Sequence, residues 1–382
     1  MVIIELLILV ILFAFLCAYK NVNIKRRDFI IISIIFTLLI IYLASIFETG
    51  WAVSEENYIV APWDLTRYHF EISALKGYTF KEIIPMMMSA TEPLRIAIFY
   101  FLSFSNNLQL LSMISTALPM VLLIFLIVKN HSYKKIGMRY IFLCYLICFC
   151  GIDFMDMVVT CRYVIAVTIF VLGLYILFTE SGILKILFAF VLMIISSLLH
   201  NFFWLFFGVA VVCYLFPKVI KSRWKCLVLF WQFFLSFFVL ILEKIPIDLM
   251  DALAKKINRF MDLGLSLSFN RVMFYVVSAM AGVTLLLFLS KTRGEGEREN
   301  ILLDVIRIFT YLWIGGVGSY ASNRIMFIIS LLSPIYLKRI EEGSKNKKLY
   351  IQIFIMCCLF LMIYHIAVNM IYFKASGAYF HW

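Results

Sequence analysis

The sequence predicts an all-α polytopic membrane protein with about 12 transmembrane helices and both termini outside. Three observations carry that reading. Of 382 residues, 64% are hydrophobic and only 15% are charged, against about 45–50% and about 25% in a soluble chain. A water-soluble fold would lack the polar residues to cover itself. The apolar stretches run unbroken for about 16–23 residues, a bilayer-crossing length, instead of alternating as barrel strands do. The formal charge of +12 comes from short Lys and Arg clusters between those stretches. That pattern orients membrane helices with basic loops in the cytoplasm and argues against a nucleic-acid partner.

Taken in order, residues 2–19 form an apolar run with no basic residue before it and no small-residue cleavage signal after it; Lys20, Lys25, Arg26 and Arg27 follow. This reads as an uncleaved anchor with its N-terminus outside. A second span, 29–47, returns outward. The polar segment from Glu48 to about Glu92 is too long for a simple connector and is a candidate functional region. Residues 94–105, bounded by Pro93 and Ser105-Asn106-Asn107, are apolar but too short to cross, and so form an interfacial or re-entrant helix. If this helix crossed, Lys129, Lys134, Lys135 and Arg139 would lie outside and every later basic loop would invert with them. The remaining spans fall near 108–128, 140–152, 157–178, 184–199, 201–216, 226–245, 271–290, 301–320, 325–337 and 349–371. With this topology roughly two-thirds of the Lys and Arg, but only about a third of the acids, lie inside. The external loops are 48–107 and 246–270. The second carries Asp248, Asp251, Lys255, Lys256, Arg259 and Asp262 among apolar residues at helical spacing, an amphipathic helix on the outer surface. Residues 1–382 form a single integral membrane domain without internal repeats. The nine cysteines lie mostly inside apolar segments, without paired Cys-x-x-Cys units or His at zinc spacing, and read as small hydrophobes; neither metal nor cofactor is expected.

In such a chain the informative residues are ionisable groups near the membrane, where an unpaired charge is costly. Asp64, Arg67 and Tyr68 in "APWDLTRYHF" share one side of a helix if that stretch is helical, although the same spacing serves a plain surface ion pair. Glu92-Pro93, with Arg95, opens the short non-crossing helix, Pro93 suiting its first turn. Arg162 in "TCRYVIAVTIF" lies near the outer end of an apolar span. It either pairs with the preceding Asp153 and Asp156 or faces a hydrated cavity and binds an anion, for which a planar fork of donors is suited. His200 in "SSLLHNFFW" falls where two apolar runs meet at the outer surface, eligible for phosphate binding or proton transfer. Arg324, with Tyr320 and Asn323 beside it, follows Gly315, Gly316 and Gly318, which let a backbone or a ligand approach closely. All five places sit on the outer side. An anionic lipid-linked substrate, with its phosphates at headgroup depth, would be met by such a set.

The order and spacing of these features resemble the EpsG/Wzy-like family of bacterial polysaccharide polymerases. The resemblance rests on Asp64-x-x-Arg67-Tyr68 after the second helix, Glu92-Pro93 further on, Arg162-x-x-x-Ala166 opening a helix, His200 ending the next, and Arg324 near the start of a late one. Tyr163 and Trp63 stand where that family often has Gln and Gly. The resemblance implies a glycosyltransferase of the bacterial cytoplasmic membrane that joins polyprenyl-diphosphate-linked oligosaccharide repeat units at the outer face, with membrane lipids and a chain-length regulator as its partners. Arg162 and Arg324 would stabilise the departing diphosphate, Asp64 or else Glu92 would take the acceptor proton, and His200 would orient phosphate or replace either acid. Arg67, Tyr68 and Asn323 complete the substrate-binding set. A flippase for the same lipid-linked sugar would spread ionisable residues through the spans. A membrane acyltransferase would open its His to a cytoplasmic donor, and a non-catalytic assembly protein is the remaining alternative.

Overall fold

The computed structural model describes residues 22–48, 52–53, 59–60, 64–105, 107–130, 135–152, 154–218, 223–231, 269–294, 296–317, 320–338, 345–376 and 379–380. Among them the chain forms fifteen α-helices and three small antiparallel ribbons, the all-α architecture of a membrane protein. In chain order these are β1 (Asn23–Lys25), α1 (Arg26–Ser45), β2 (Phe47–Glu48), β3 (Ala52–Val53), β4 (Ile59–Val60), α2 (Asp64–Ala74), α3 (Phe80–Ser89), α4 (Pro93–Ser103) and α5 (Leu110–Asn130). Then follow β5 (Lys135–Gly137), α6 (Met138–Gly151), α7 (Phe154–Val159), α8 (Cys161–Thr179), α9 (Ile183–Leu199) and α10 (Phe203–Leu215). The last are α11 (Phe269–Ser290), α12 (Glu297–Gly315), α13 (Tyr320–Leu331), α14 (Ser333–Leu337), α15 (Lys345–Ser376) and β6 (Tyr379–Phe380).

Five helices, α1, α5, α8, α11 and α15, are long and apolar enough to cross a membrane; α4, α6, α9 and α10 are apolar but shorter. Part of the shortfall comes from breaks inside expected spans. The expected 157–178 span is divided at Thr160 into α7 and α8. Helix α6 ends at Gly151, close to the end of the expected 140–152 span, and packs tightly on α13 there: a Cβ on Gly151 would stand 1.9 Å from Ser330 Oγ. The expected 325–337 span begins earlier, at Tyr320, and is interrupted at Leu332 ahead of Pro334, whose ring lacks an N–H and suits a first turn. Of the expected 226–245 span, residues 223–231 are described and include a 3₁₀ turn, Arg223–Phe230. The remainder, like 2–19 and the 246–268 part of the second external loop, lies outside the described residues.

Contacts fix which chain ends lie together. Ser112 Oγ donates to Ala44 O at 3.2 Å, while β1 pairs with β5, Asn23 opposite Gly137. Helices α1 and α5 therefore run antiparallel, and everything between them, α2, α3 and α4 included, leaves and returns at one end of the bundle. Strand β6 joins the same end by pairing with β2. The basic connections gather at the other end: Lys129 meets Glu180 at 3.2 Å, Arg307 donates to Thr292 O at 3.1 Å, and Lys338 approaches Glu299 at 3.9 Å. The first will be called the α2–α4 end and the second the basic end.

Helix α8 is the axis of the bundle. Of its most apolar stretch 78% is buried, against 28% for α1. Close packing on α9 depends on Gly173, where a Cβ would sit 3.0 Å from Ala189 O, and on Ser196 Oγ, which donates to Ala166 O at 2.7 Å. Small residues and hydroxyls that bond across helices hold a bundle together where apolar lipid supplies no hydrophobic drive. The described cysteines, Cys144, Cys148, Cys150, Cys161, Cys213, Cys357 and Cys358, are buried and unbridged.

Candidate functional site

The α2–α4 end collects polar side chains from five separate stretches of chain. Helix α2 starts at Asp64, a carboxylate favoured in a first turn by the helix dipole. One turn on, Arg67 pairs with Asp64 at 2.8 Å and with Glu71 at 3.6 Å, all three partly exposed. Tyr68 points inward and is only 2% exposed, its ring 5.4 Å from that of Phe99 in α4. Burial pushes its phenol well above the ordinary value, with Arg162 acting against the rise. Tyr68 is therefore a neutral hydroxyl at any working pH.

Helix α4 opens at Glu92-Pro93, and the Glu92 side chain does not cap its own helix. Its carboxylate instead accepts from Arg162 Nη1 at the start of α8 and from the Asn201 backbone N–H at 3.3 Å. The side chains of Arg162 and Glu92 are 12% and 15% exposed. Arg162 also stacks over Tyr68, 4.9 Å from the ring centroid. It thus has a carboxylate partner 70 residues upstream; of the two acids that the sequence offered, Asp153 lies outside the described residues. Arg95, within 3.7 Å of Glu71 and 4.0 Å of Glu92, links the α2 ion pairs to this buried one.

His200 ends α9 in an extended conformation, with Arg324 Nη1 3.2 Å from its Nε2. Arginine can only donate, so Nε2 accepts from Arg324, while Nδ1 lies 3.4 Å from the Phe202 backbone N–H. Arg324 lies over the rings of Tyr163 (4.9 Å) and Phe202 (5.5 Å), and the Tyr163 hydroxyl donates to Arg324 O at 2.6 Å. Arg162 and Tyr163 are consecutive, as are His200 and Asn201. The Glu92–Arg162 pair and the His200–Arg324 pair are therefore two halves of one cluster.

Seven of the eight residues singled out in the sequence, Asp64, Arg67, Tyr68, Glu92, Arg162, His200 and Arg324, thus meet in one connected network. Of the eighth, Asn323, the backbone belongs to α13 and the side chain lies outside the described residues. Gly315 serves the fold, not a ligand: a Cβ there would stand 2.2 Å from Leu229 O, so the glycine admits the 3₁₀ turn against α12. The sequence reading undervalued Arg95 and missed Glu71, Tyr163, Asn201 and Phe202 as site members. Glu71 carried a signal, four residues after Arg67 on one helix. Asn201 carried none, because it acts through its backbone.

Electrostatically the cluster sets the guanidiniums of Arg67, Arg95, Arg162 and Arg324 against the carboxylates of Asp64, Glu71 and Glu92, an excess of one positive charge. The buried Nε groups of Arg95 and Arg162 have no hydrogen-bond acceptor among the described residues, and a ligand oxygen would satisfy either. Arg307 Nε at the basic end has none either, so an orphan donor by itself does not mark a site; the convergence does. Among the described residues no three His, Cys, Asp or Glu are placed to hold a metal ion. A cavity of about 130 Å³ lies at the basic end, lined by Leu177, Glu180, Cys213, Tyr214 and Arg298 among others, remote from this cluster.

Fold and cluster together define an all-α membrane protein with an arginine-rich, carboxylate-balanced polar network at one end. No family model matches the chain, and neither a curated protein nor a solved structure matches it at a significant level.

Proposed function

We propose that the chain is a polysaccharide polymerase of the bacterial cytoplasmic membrane. It crosses the bilayer twelve times, with the α2–α4 end and both termini outside. It joins polyprenyl-diphosphate-linked repeat units there, as the resemblance implies. The observation that carries the reading is the meeting of Asp64, Glu92, Arg162, His200 and Arg324, selected from the sequence as outer-face groups, in one network. Lys and Arg gathered at the other end support the same orientation, since basic loops stay in the cytoplasm.

In this reading the acceptor sugar hydroxyl attacks the anomeric carbon of the growing chain. Its O–H bond breaks with the proton passing to Asp64, the new glycosidic C–O bond forms, and the C–O bond to the lipid diphosphate breaks with its electron pair leaving on phosphate. Arg67, 2.8 Å from Asp64, holds that carboxylate in place at the start of α2. Arg162 and Arg324 meet the charge that develops on the leaving group, in a site poor in water where such donors are most effective. His200 orients Arg324 through Nε2. At rest Glu92 occupies Arg162, so an arriving diphosphate takes over a cation that a carboxylate already holds. Displacement of Glu92 accompanies binding.

The test is direct. In cells making the polymer, Arg162→Ala and Arg324→Ala should leave the protein in the membrane while lipid-linked single repeat units accumulate. Long chains of normal distribution in both variants would overturn the proposal.

A further inference from the structure

Helix α3 has an exposed apolar surface. At about 100° per residue, Phe80, Ile84 and Met88 lie on one stripe, and they are 53%, 40% and 83% exposed. Ile83 and Met87 adjoin that stripe, and Ile83 is completely buried where α3 packs on α4. Glu82 and Ser89 take the opposite arc, Lys81 borders the stripe beside Met88, and all three are exposed. Glu82 closes a capping box with Thr79, whose N–H it accepts at 2.7 Å. The helix is therefore apolar over more than half its circumference, and the edge near Ile83 meets protein.

The exposed stripe continues onto α4. The Phe80 ring lies 6.2 Å from Tyr100, and Tyr100 lies 5.8 Å from Phe101 and 4.9 Å from Phe104. Phe101 and Phe104 are 64% and 67% exposed. Helix α4 packs on α9, whose own outward side presents Leu187, Phe188, Val191 and Ile194. The patch is thus the upper rim of the apolar girdle around the bundle. At 10 residues, or roughly 15 Å, α3 is too short to cross a bilayer. A short helix with one wide apolar arc and a charged arc lies in the plane of a membrane interface.

We propose that α3 and the C-terminal turn of α4 are inserted edgewise into the leaflet on the α2–α4 side, with lipid acyl chains covering Phe80, Ile84, Met88, Phe101 and Phe104, and Lys81 and Glu82 among the headgroups. This anchor holds the Glu92 end of α4 at headgroup depth. It requires only that the protein sit in a membrane, so it can stand if the polymerase reading fails, and the converse also holds.

Met88 reports its own surroundings, because its thioether oxidises readily in water. The unaltered full chain is placed in phosphatidylethanolamine–phosphatidylglycerol vesicles, a tenth of the lipid carrying a diazirine high on an acyl chain. It is then irradiated, or in a parallel sample exposed to hydroxyl radicals, and peptides are sequenced by mass spectrometry. Lipid adducts should fall on Phe80–Met88 and Phe101–Phe104, and Met88 should oxidise at least about tenfold more slowly than in protein unfolded in urea. Fast oxidation of Met88 without lipid adducts would overturn the proposal in favour of a solvent-facing lid. Protection of Met88 without lipid adducts would overturn it in favour of a protein interface.

Discussion

At each end of the bundle a buried arginine meets a carboxylate, and the two pairs are built differently. At the basic end Arg307 pairs with Asp304 one turn before it on the same helix, at 2.6 Å. Its other amino group reaches Leu289 O and Thr292 O, one in the last turn of α11 and one just past its end. Every partner is nearby backbone or the same helix, and the result is a cap. At the α2–α4 end Arg162 reaches Glu92 across 70 residues, beside Tyr68 from a third segment and the His200–Arg324 pair from two more. A cap could be made locally and at lower entropic cost. Several titratable side chains drawn from distant parts of the chain to one place are the arrangement that ligand binding and catalysis require.

The comparison is broken most decisively by matched arginine substitutions. Arg162→Ala or Arg324→Ala should reduce chain extension by about 10²–10³-fold, the cost of removing one preorganised donor from a developing oxyanion. Membrane yield should fall less. Arg307→Ala should do the reverse, costing ~3–5 kcal/mol of stability as the buried Asp304 carboxylate loses its ion pair, with extension per folded molecule retained. Thermal denaturation in detergent and chain-length analysis read the two effects separately. Equal behaviour of all three variants would erase the distinction between the two ends.

Asp64→Asn comes next. It retains shape and removes the base, so transfer should fall about 10²-fold while binding of lipid-linked substrate changes little; parallel loss of both would move the base elsewhere. Glu92→Gln should act in two directions. With the resting counter-ion of Arg162 neutralised, inorganic diphosphate should compete for the site about tenfold more strongly, a shift of about 1.4 kcal/mol, while transfer slows. Diphosphate binding that is unchanged or weaker in Glu92→Gln would show that Glu92 builds the site without occupying it.

Much of this was legible in the residues. Apolar runs of crossing length announced α1, α5, α8, α11 and α15, because burial in lipid leaves a helix no choice of composition. The charges betrayed the α2–α4 end, because Arg162 or Arg324 near an apolar helix must have a partner or water. What escaped depended on contacts between distant segments. Nothing in 157–178 says that the expected span will divide at Thr160, and spacing pointed Arg162 to nearby acids, not to Glu92 70 residues upstream. Backbone groups such as the Asn201 N–H carry no side-chain signal at all.

The smallest effect gives the sharpest contrast. Tyr163 and Tyr140 make the same kind of bond, a buried phenol donating to a carbonyl across the bundle: Tyr163 to Arg324 O at 2.6 Å and Tyr140 to Pro334 O at 2.7 Å. Each ring is nearly inaccessible, 4% and 6% exposed, and Phe preserves its shape. Removing either hydroxyl leaves one carbonyl short of a donor and should cost about 1 kcal/mol, so Tyr163→Phe and Tyr140→Phe should lower the melting temperature about equally. Their effects on the reaction should differ. Tyr140 ties α6 to α14 away from the cluster, whereas Tyr163 both anchors the backbone of Arg324 and lies under its guanidinium. Tyr163→Phe keeps the stacking but loosens the anchor, so extension should slow by a few-fold, with Tyr140→Phe at the unmodified rate. If stability and rate fell together in both, Arg324 would owe its position to the packing of the whole bundle, and Tyr163 would have no particular part in the site.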